Sequence, residues 1–339
     1  MRLRTIMTLS VLALSVDCLA QSTDSIPKAK KDTLNLPKRV VAVVADNFAV
    51  IRPLNFEFSN TSPYSYRPEY GNDQLPDSKV TKFQQIKLSA NFNFIKRKSW
   101  LLGATVGYKG TSIDAEVVRP GTTENTIFKD DFHYLFSAVS FTYFSTLFKK
   151  RTFYSSMILL DGSDKHFERV KGMFTATMLL KANQKTRMTV GFVVNIDPAT
   201  QIPAIPTFTY EHKFNNGLIA DLVLPRSMYL RKFVFKRSGR LSLGVEMDQT
   251  NFYMYNLEGT NQKYEYRQLD INPGMVYEHA IGKYFMLTAK SGVKLTPNGR
   301  TFRKESSFAD PLYEIKPDPS FYFNLGISFN PFSLFGKKR

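Results

Sequence analysis

The sequence predicts an all-β fold, a transmembrane antiparallel up-and-down β-barrel of 12–14 strands of the outer-membrane type. Three observations predict it: an export signal at the start of the chain, alternation of apolar and polar residues from about residue 47 onward, and connections that alternate between short and long. Strands that cross a bilayer at a tilt need ~9–11 residues and alternate lipid-facing with lumen-facing side chains. We expect residues 47–335 to form this barrel.

The chain begins with the layout of a secretory signal peptide, MRLRTIMTLSVLALSVDCLAQS. Arg2 and Arg4 form a positive n-region, Ile6–Val16 is an apolar stretch too short to span a bilayer as a helix, and small residues favour cleavage after Ala20. Cys18, the one cysteine, lies inside this leader, and the residues before it do not form a lipobox. We therefore expect a mature chain without disulfide or thiolate chemistry.

The segments that flank the predicted barrel are polar. Residues 21–46 contain prolines and the sequence KAKK, which is typical of a flexible periplasmic segment, and residues 336–339 form a short basic tail. After the leader, no apolar run approaches the ~20 residues of a transmembrane helix. Any later membrane crossing would therefore use β-strands.

Alternation with a period of two is clearest in Phe83–Phe94, FQQIKLSANFNF, where every second residue is apolar. Residues 321–329 follow the same rule, whereas 133–146 and 153–160 carry apolar residues on both faces and are expected to contact a plug, a loop or a filled lumen. The predicted strands lie near 54–59, 83–96, 99–114, 133–148, 152–161, 167–183, 186–197, 202–214, 217–224, 228–236, 240–256, 264–281, 284–297 and 319–332.

The connections between these strands fall into two groups, as in an outer-membrane barrel with short turns on one rim and long loops on the other. If the first strand begins at Leu54, every short turn and both chain ends fall on the periplasmic side, and the strand number is even. This arrangement requires that residues 217–236 split into two strands at Leu224-Pro225. The short turns are 96–98, 149–151, 183–185, 215–217, 237–239 and 282–283, and the longer loops include 60–82, 115–132, 162–166, 257–263 and 298–318.

Many of the positively charged residues of the chain lie in one part of the predicted barrel. The formal net charge is +17, and removing a leader with two arginines and one aspartate leaves 17 − 1 = +16. Many basic residues fall at the short turns, which predicts a rim beside anionic lipid headgroups and no nucleic-acid partner. These residues are Lys96, Arg97, Lys98, Lys149, Lys150, Arg151, Lys185, Lys236, Arg237 and Lys283.

Residues 203–301 resemble an uncharacterised family of porin-like outer-membrane β-barrel proteins, a domain of unknown function found in Bacteroidetes-type bacteria. The features that carry the resemblance run in order: a strand closing in Tyr-x-x-Lys-Phe-Asn at 210–215, a strand ending in Leu224-Pro225, Ser227 and Tyr229, GRLSLGVEMDQTNFYMYN, and DINPGMVYEHAIGKYFMLTAKSGVKL. The resemblance implies a Gram-negative, exported barrel. It implies no substrate and no catalytic residues.

The triplet Tyr-Glu-His occurs twice, at 210–212 and 277–279, and suggests a catalytic pair at first sight. In a strand, however, adjacent side chains point to opposite faces, so each glutamate and its histidine cannot form a dyad. Each triplet lies shortly before a short turn, where amphipathic rings are expected at the membrane interface. We therefore expect an interfacial girdle of Tyr210, His212, Tyr277 and His279.

The face predicted to line the lumen carries charges of both signs. One interpretation is a salt-bridged interior, either water-filled or closed; the other is a pore with a slight preference for anions. The candidate lumen-lining residues are Lys87, Lys109, Arg169, Lys171, Arg187, Glu211, Lys213, Asp221, Glu246, Asp248, Asp270, Glu278, Lys290 and Lys294.

Other chemistry has little support in the sequence. Asp161, Asp164 and His166 in DGSDKH could offer oxygen ligands to Ca²⁺, but the rest of a calcium-loop pattern is missing, and a polar turn is expected. None of the four histidines stands beside a serine in a recognisable motif. We expect no metal, no cofactor and no catalytic residue.

These observations predict a protein of the cell outer membrane that acts as a small porin-like passive channel for small solutes. Two alternatives stay open: a membrane-embedded enzyme acting on lipid or lipopolysaccharide, and a closed structural barrel whose loops at 60–82, 115–132 and 298–318 bind partners. A soluble β-sandwich is a further alternative fold. The expected partners are outer-membrane lipid and the β-barrel assembly machinery, which would recognise the Phe-rich end at Phe329, Phe332 and Phe335.

Overall fold

The structure is a computed structural model that describes residue 45 and residues 49–331, except 72, 119–124, 198, 201 and 260. The predicted leader, residues 21–44, Phe332, Phe335 and the tail at 336–339 lie outside the described residues. Their predicted roles in export and assembly stay predictions.

The described residues form one large antiparallel sheet with three single-turn 3₁₀ segments, at Ala49–Ile51, Phe235–Arg237 and Leu257–Gly259. The strands are β1 (Leu54–Thr61), β2 (Tyr64–Tyr70), β3 (Asp73–Gln74), β4 (Ser78–Lys96), β5 (Trp100–Val118), β6 (Asn125–Leu147), β7 (Lys150–Gly162), β8 (Phe167–Ala182), β9 (Thr186–Ile196), β10 (Ala204–Lys213), β11 (Leu218–Leu224), β12 (Ser227–Val234), β13 (Gly239–Tyr255), β14 (Lys263–Ile281), β15 (Phe285–Arg303), β16 (Tyr313–Pro317) and β17 (Ser320–Phe329).

The sheet closes on itself because β1 pairs with β4 on one side and with β17 on the other. The barrel wall therefore consists of β1, β4 to β15 and β17, which makes fourteen antiparallel strands. The predicted outer-membrane type of barrel is confirmed. The β-sandwich alternative is wrong, since every wall strand is paired on both sides along at least part of its length.

The split at Leu224-Pro225 is present, and β11 and β12 are separate strands joined by a tight turn. The predicted long loops, by contrast, are largely strands. Residues 60–82 contain β2, β3 and the start of β4, 115–132 hold the paired ends of β5 and β6, and 298–318 contain the end of β15 and all of β16. The ladder continues because inward-facing side chains keep packing above the wall, among them Tyr64, Tyr66, Val80, Phe83 and Ala115.

The two faces of the wall differ as expected for a barrel in lipid. Large apolar side chains are exposed on the outside of the wall, whereas threonine, asparagine and charged side chains are buried on the inside. Among the described residues, no helix is long and apolar enough to cross a membrane. The exposed apolar side chains include Leu88, Phe92, Val106, Val139, Phe141, Ile158, Val190, Leu230, Leu243 and Leu325.

A charge on this outer face is expected to be costly. Val139 lies in the middle of the apolar band on β6 and is 54% exposed, whereas Phe148 lies in the adjoining periplasmic turn and is 82% exposed. We expect Val139→Arg to lower the free energy of unfolding by about 2–4 kcal/mol and Phe148→Arg by about 0–1 kcal/mol. Urea unfolding in vesicles, followed by heat-modifiable gel migration, measures both; equal losses would contradict a lipid-facing band.

Candidate functional site: a lumen narrowed at both ends

The barrel wall is shorter at the β11–β12 hairpin, because these two strands end earlier than β13 at the rim that carries the long connections. The last register pair between β12 and β13 is Ser227 with Glu246, and the amide of Met247 donates to the carbonyl of Arg226 at 2.8 Å. Beyond this point β13 continues to Tyr255 and pairs with β14 alone. The outer part of β13 therefore has no strand partner on its β12 side.

This outer part of the β13–β14 hairpin, residues 248–270, extends into the lumen. It contacts β4 and β5, neither of which is a neighbour of β13 in the sheet. The outer part of β13 therefore bends into the barrel and docks by polar contacts on the opposite wall, while β14 stays paired with β15. The contacts are Lys87 Nζ to Asp248 Oδ2 at 2.5 Å, Gln85 Nε2 to Thr250 Oγ1 at 3.1 Å, and Lys109 Nζ to the carbonyl oxygen of Gln249 at 2.7 Å.

Aromatic side chains hold the same hairpin against β6. Phe252 stacks on Phe132 with ring centroids 4.0 Å apart, and Tyr266 stacks on Phe252 from the other side at 4.8 Å. One rung away, the hydroxyls of Tyr134 and Tyr253 both donate to the carboxylate of Asp161, at 2.5 and 3.0 Å; Tyr134 and Asp161 belong to the wall. The hairpin thus fills the outer half of the lumen.

Burial along β14 shows the same displacement from the wall. Residues 264–270 are buried on both faces, whereas a wall strand buries only alternate residues. The second face is covered by the connection after β9 and by the start of β10: Arg267 bonds to Asp197 Oδ2 at 2.8 Å and to the carbonyl of Ala199 at 3.2 Å, and Leu269 packs on Ile205 of β10. This connection locks the hairpin from the outer side.

Because Asp197 is an acid, the stability of this contact between the connection and the hairpin depends on pH. Burial raises the pKa of Asp197, but Arg267 and Lys171 lower it more, with a bond from the Ala199 amide, and the pKa is about 2. The pKa of this carboxyl group is about 3.8 in the unfolded chain and lower in the fold, so its ionised form stabilises the folded protein at pH values above 3.8. This contribution is about 2 kcal/mol, and it is lost as the pH falls through the folded pKa of about 2.

We expect Asp197→Asn to remove this part of the pH dependence. Wild-type protein should lose unfolding free energy between about pH 4 and pH 2, and the variant should lose about 2 kcal/mol less over the same range. The exposed Asp164→Asn is the matched control and should behave as wild type. Urea unfolding at each pH measures the effect; parallel pH profiles of Asp197→Asn and wild type would contradict it.

The mouth on the side of the short turns, which is predicted to face the periplasm, is occupied by the segment that precedes β1. The guanidinium of Arg52 is 0% exposed and donates to Glu278 Oε1 at 2.6 Å, to Ser328 Oγ at 2.8 Å and to the carbonyl of Ala45 at 3.0 Å. Arg240 donates to the other oxygen of Glu278 at 2.5 Å. A single carboxylate therefore ties this segment to the inside of the wall.

Ile51 of the same segment packs on inward-facing side chains of the opposite wall, namely Phe144, Phe153, Leu179 and Val223. These residues explain why β6 and β7 carry apolar residues on both faces. The outer face meets lipid, and the inner face meets the segment at 49–52.

Between the two segments lies a cavity of about 350 Å³. Its walls come from β1, β4 to β9, β12 to β15 and β17, and both apolar side chains and charged side chains of both signs line it. The lining cations are Lys87, Lys109, Lys171, Arg226, Arg231, Arg267, Lys290 and Lys294, and the lining anions are Glu57, Asp197, Glu246, Asp248 and Glu278.

The structure places the fourteen candidate lumen residues in a network of ion pairs. Lys109 is the exception, since its ammonium group bonds only to neutral oxygens. The pairs are Lys87 with Asp248, Lys290 with Glu246, Lys294 with Asp270, Lys171 with Asp161, Arg169 with Asp197 and Glu265, Arg187 and Lys213 with Glu211, Arg231 with Asp221, and Arg52 and Arg240 with Glu278.

The two Tyr-Glu-His triplets have their side chains on opposite faces, as strand geometry requires. Glu211 and Glu278 point inward into the ion pairs above. On the outer face, Tyr210 stacks on His212 at 6.2 Å, and the hydroxyl of Tyr277 lies 2.8 Å from Nδ1 of His279. Neither triplet brings its glutamate and histidine together. A girdle at the membrane interface stays a prediction.

Several residues that build the closures were not singled out from the sequence, chiefly Arg52, Arg240, Glu265 and Arg267. Arg52 lies before the first strand, where no periodicity marks it. The positions of Glu265 and Arg267 could have been noticed in the sequence. Both lie on the same face of β14 as Met275, and that face is exposed to lipid at Met275. Charges on that face are costly in a membrane, so they indicate that this face of β14 does not meet lipid at this height.

The histidines and acidic loops form no recognisable reactive site in the described part of the chain. No group of three or more His, Cys, Asp or Glu there could hold a metal ion. The ring of His133 bonds to Tyr108, that of His212 to Thr186, and that of His166 packs on Tyr255. None of these rings contacts a carboxylate among the described residues.

Neither a family model nor a curated protein matches the chain. The resemblance to the uncharacterised Bacteroidetes-type family therefore stays a prediction. Solved structures with the same kind of fold do match. All identities are 9% or lower and all TM-scores are below 0.4 in the three described next. The likeness therefore concerns the fold alone.

The toluene transporter TodX of Pseudomonas putida is 9% identical, with 82% of this chain and 89% of that chain covered and a TM-score of 0.37. An outer membrane channel of Pseudomonas putida F1 is 8% identical, with 81% and 94% covered and a TM-score of 0.32. The outer membrane protease OmpT of Escherichia coli is 8% identical, with 81% and 96% covered and a TM-score of 0.25. The chain has the fold of an outer-membrane β-barrel.

Proposed function

We propose that the protein is a gated passive channel for small polar solutes in the outer membrane, and that the conformation described here is its closed state. The observation that carries this proposal is the narrowed lumen: residues 49–52 before the first strand and the outer part of the β13–β14 hairpin, which stays paired with β15, reach into the barrel from opposite ends. Moving them would leave a continuous polar path through the barrel.

The size of the wall supports this proposal. A barrel of about 8 strands is just filled by its own side chains, whereas 16–18 strands enclose an aqueous channel. With fourteen strands, the wall encloses more space than its side chains fill, and two separate segments occupy the remainder. If both segments leave, the lumen is wide enough for water and small solutes.

The nature of the closing contacts also supports a reversible gate. Hydrogen bonds and ion pairs such as Lys87 with Asp248 can be replaced by water when a segment moves into an open lumen, so their net contribution is modest. The wall is held by continuous ladders of backbone hydrogen bonds, for example between β4 and β5. The outer part of β13 pairs with β14 alone, so moving it away from the opposite wall breaks side-chain contacts and no ladder to those strands.

Planar-bilayer recording on the refolded full-length protein tests this function. We expect discrete conductance steps separated by long closed intervals, because the closed state is well packed. Detergent without protein and heat-denatured protein are the controls and should give no steps. The absence of steps over a wide range of voltage and salt would overturn the channel proposal.

The same closure favours a second candidate, a permanently closed barrel with a structural or surface-interaction role. In that case the extension above the wall, formed by β2, β3, β16 and the ends of β5 and β6, would bind partners. The two candidates differ in one measurable property, since only a channel conducts ions. The enzyme alternative has weaker support, because the histidine rings lie against tyrosine and threonine hydroxyls.

A further inference from the structure

The β11–β12 hairpin is too short to cross a bilayer. β11 has 7 residues and β12 has 8, whereas a strand that crosses at a tilt needs ~9–11 residues. At ~3.3 Å per residue and a tilt of about 40°, seven residues rise roughly 18 Å, and the apolar band of an outer-membrane barrel is about 25 Å tall. The tip of this hairpin, at Leu224-Pro225, therefore lies within the lipid layer and not above it.

The apolar outer surface of the neighbouring wall continues beyond this tip. Leu224 is in register with Phe208 of β10 and, through it, with Val190 of β9. Further along β9, the side chain of Phe192 is 45% exposed and that of Ile196 is 65% exposed. Six residues of a tilted strand rise roughly 15 Å, so lipid on this side of the barrel reaches past the hairpin tip.

No backbone ladder closes the gap above the tip in the described part of the chain. The amide of Met247 still donates to the carbonyl of Arg226, but from there β13 pairs with β14 alone, and the start of β10 pairs with β9 alone. The gap is closed by a cluster of apolar side chains, which we call the seam. Its members are Ile202 and Ile205 on the β10 side and Met247 and Leu269 on the hairpin side.

The seam separates the cavity from the lipid beside the hairpin tip. Met247 and Leu269 line the cavity, and so do Arg226 and Ser227 at the tip. Ile205 packs against the first two side chains from outside the cavity lining. Contacts between side chains, and no paired strand, are therefore what keeps the cavity closed on this side.

Apolar contacts at this depth are easily exchanged. In water, the burial of Ile205 and Leu269 would be strongly favoured, but the acyl chains of a membrane are as apolar as these side chains, so their contact has no hydrophobic driving force in lipid. The apolar part of a solute can replace either side chain as a partner at little cost. The bond from Arg267 to Asp197 lies further out along the hairpin and can stay in place when the seam parts.

The cavity offers an apolar and a polar surface to such a solute. Met157, Leu159 and Met173, which pack together, line it on the side of β7 and β8. Ion-paired side chains such as Lys290 and Glu246 line it on the side of β13 and β15. A cavity of about 350 Å³ is of the size that holds small ligands. Its lining therefore suits a molecule with an apolar body and one polar group.

We propose that the seam is a lateral portal, through which small amphipathic molecules pass between the outer leaflet of the membrane and the cavity. The tip of the β11–β12 hairpin forms the lower border of the portal, and the start of β10 and the outer part of β13 form its sides. This inference goes beyond the passive-channel function, because the route leads through the wall and not along the barrel axis.

Thiol labelling inside the cavity tests the portal. A Met157→Cys protein in phospholipid vesicles carries one thiol in the predicted mature chain, on the apolar side of the cavity. Two reagents are compared: N-phenylmaleimide, which is small, amphipathic and lipid-soluble, and trimethylammonioethyl methanethiosulfonate, which is charged and stays in water. Adding Ile205→Ala and Leu269→Ala thins the seam, and we expect N-phenylmaleimide to label at least about tenfold faster while the rate of the charged reagent stays within about twofold.

The matched control makes the same two changes away from the seam. Leu230 and Leu243 form a register pair on β12 and β13, and both side chains are exposed on the outside of the wall. Leu230→Ala/Leu243→Ala should label at the rate of the parent Met157→Cys protein. Heat-modifiable gel migration restricts each rate to folded protein, and Ile205→Ala alone, the milder change, should give a smaller rise in the same direction.

The outcomes for the portal and for the channel are distinguishable. An unchanged rate of N-phenylmaleimide labelling in the folded seam variants, an equal rise for both reagents, or the same rise in the control would overturn the portal whether or not the protein conducts ions. A rise confined to N-phenylmaleimide and to the seam variants, in a protein without conductance steps, would overturn the channel and leave the portal in place.

Discussion

Shortening the β13–β14 hairpin is expected to open the barrel to ions. In the variant, residues 250–268 are replaced by a two-residue Asn-Gly turn, so that the strands end near the height of the low wall at β11–β12. This removes Phe252, Tyr253 and Tyr266 from the lumen and leaves the wall pairs below them intact. We expect frequent conductance steps in planar bilayers, with an open fraction at least about tenfold above that of wild type.

The control for this variant shortens a hairpin that lies in the extension and not in the lumen. Replacing residues 116–127 at the tip of β5 and β6 by the same turn removes the last paired residues of that hairpin, 116–118 and 125–127. This control should conduct as wild type. If the two shortened proteins show the same open fraction, or if the β13–β14 variant stays silent while it inserts normally, the hairpin does not close the lumen.

Replacing Glu278 with alanine is expected to give a large loss of stability. Glu278 bonds to two buried guanidinium groups, Arg52 at 2.6 Å and Arg240 at 2.5 Å, and its removal leaves both without their shared carboxylate. Breaking a buried ion pair by removing one partner costs about 3–5 kcal/mol. Urea unfolding of the protein in vesicles, followed by gel migration with and without boiling, measures this loss.

Glu69→Ala is the matched control for Glu278→Ala. Glu69 pairs with Lys316 in the outer extension, where both side chains are partly exposed, at 34% and 43%. Exposed pairs contribute about 0–1 kcal/mol, so the control should lose little stability. Similar losses in the two variants would show that Arg52 and Glu278 do not hold the periplasmic mouth as a buried pair.

The barrel could be predicted from the sequence because its wall obeys a local rule. Each wall strand alternates lipid-facing apolar residues with lumen-facing polar ones, as in Phe83–Phe94, and the short basic turns fix which rim is periplasmic. The even strand number required a split at Leu224-Pro225, and the structure contains it. These features depend on residues close together in the chain.

The closures could not be predicted by the same rule, because they depend on contacts between distant residues. Alternation in β13 looks the same whether the strand lies in the wall or inside the lumen, and the partner of Phe252 is Phe132, 120 positions earlier (252 − 132). Residues 60–82, 115–132 and 298–318 were predicted as long loops, but much of each is paired strand that continues above the wall.

The most direct test of the central claim links the hairpin reversibly to the wall. Phe132 and Phe252 stack across the lumen at 4.0 Å, and the predicted mature chain contains no cysteine, so a Phe132→Cys/Phe252→Cys protein offers one defined pair of thiols. A short bis-methanethiosulfonate reagent bridges the pair, and a reductant releases it. We predict single-channel openings in the reduced protein, silence after bridging, and openings again after reduction. Openings that continue unchanged in the bridged protein would contradict the claim that this hairpin is the gate.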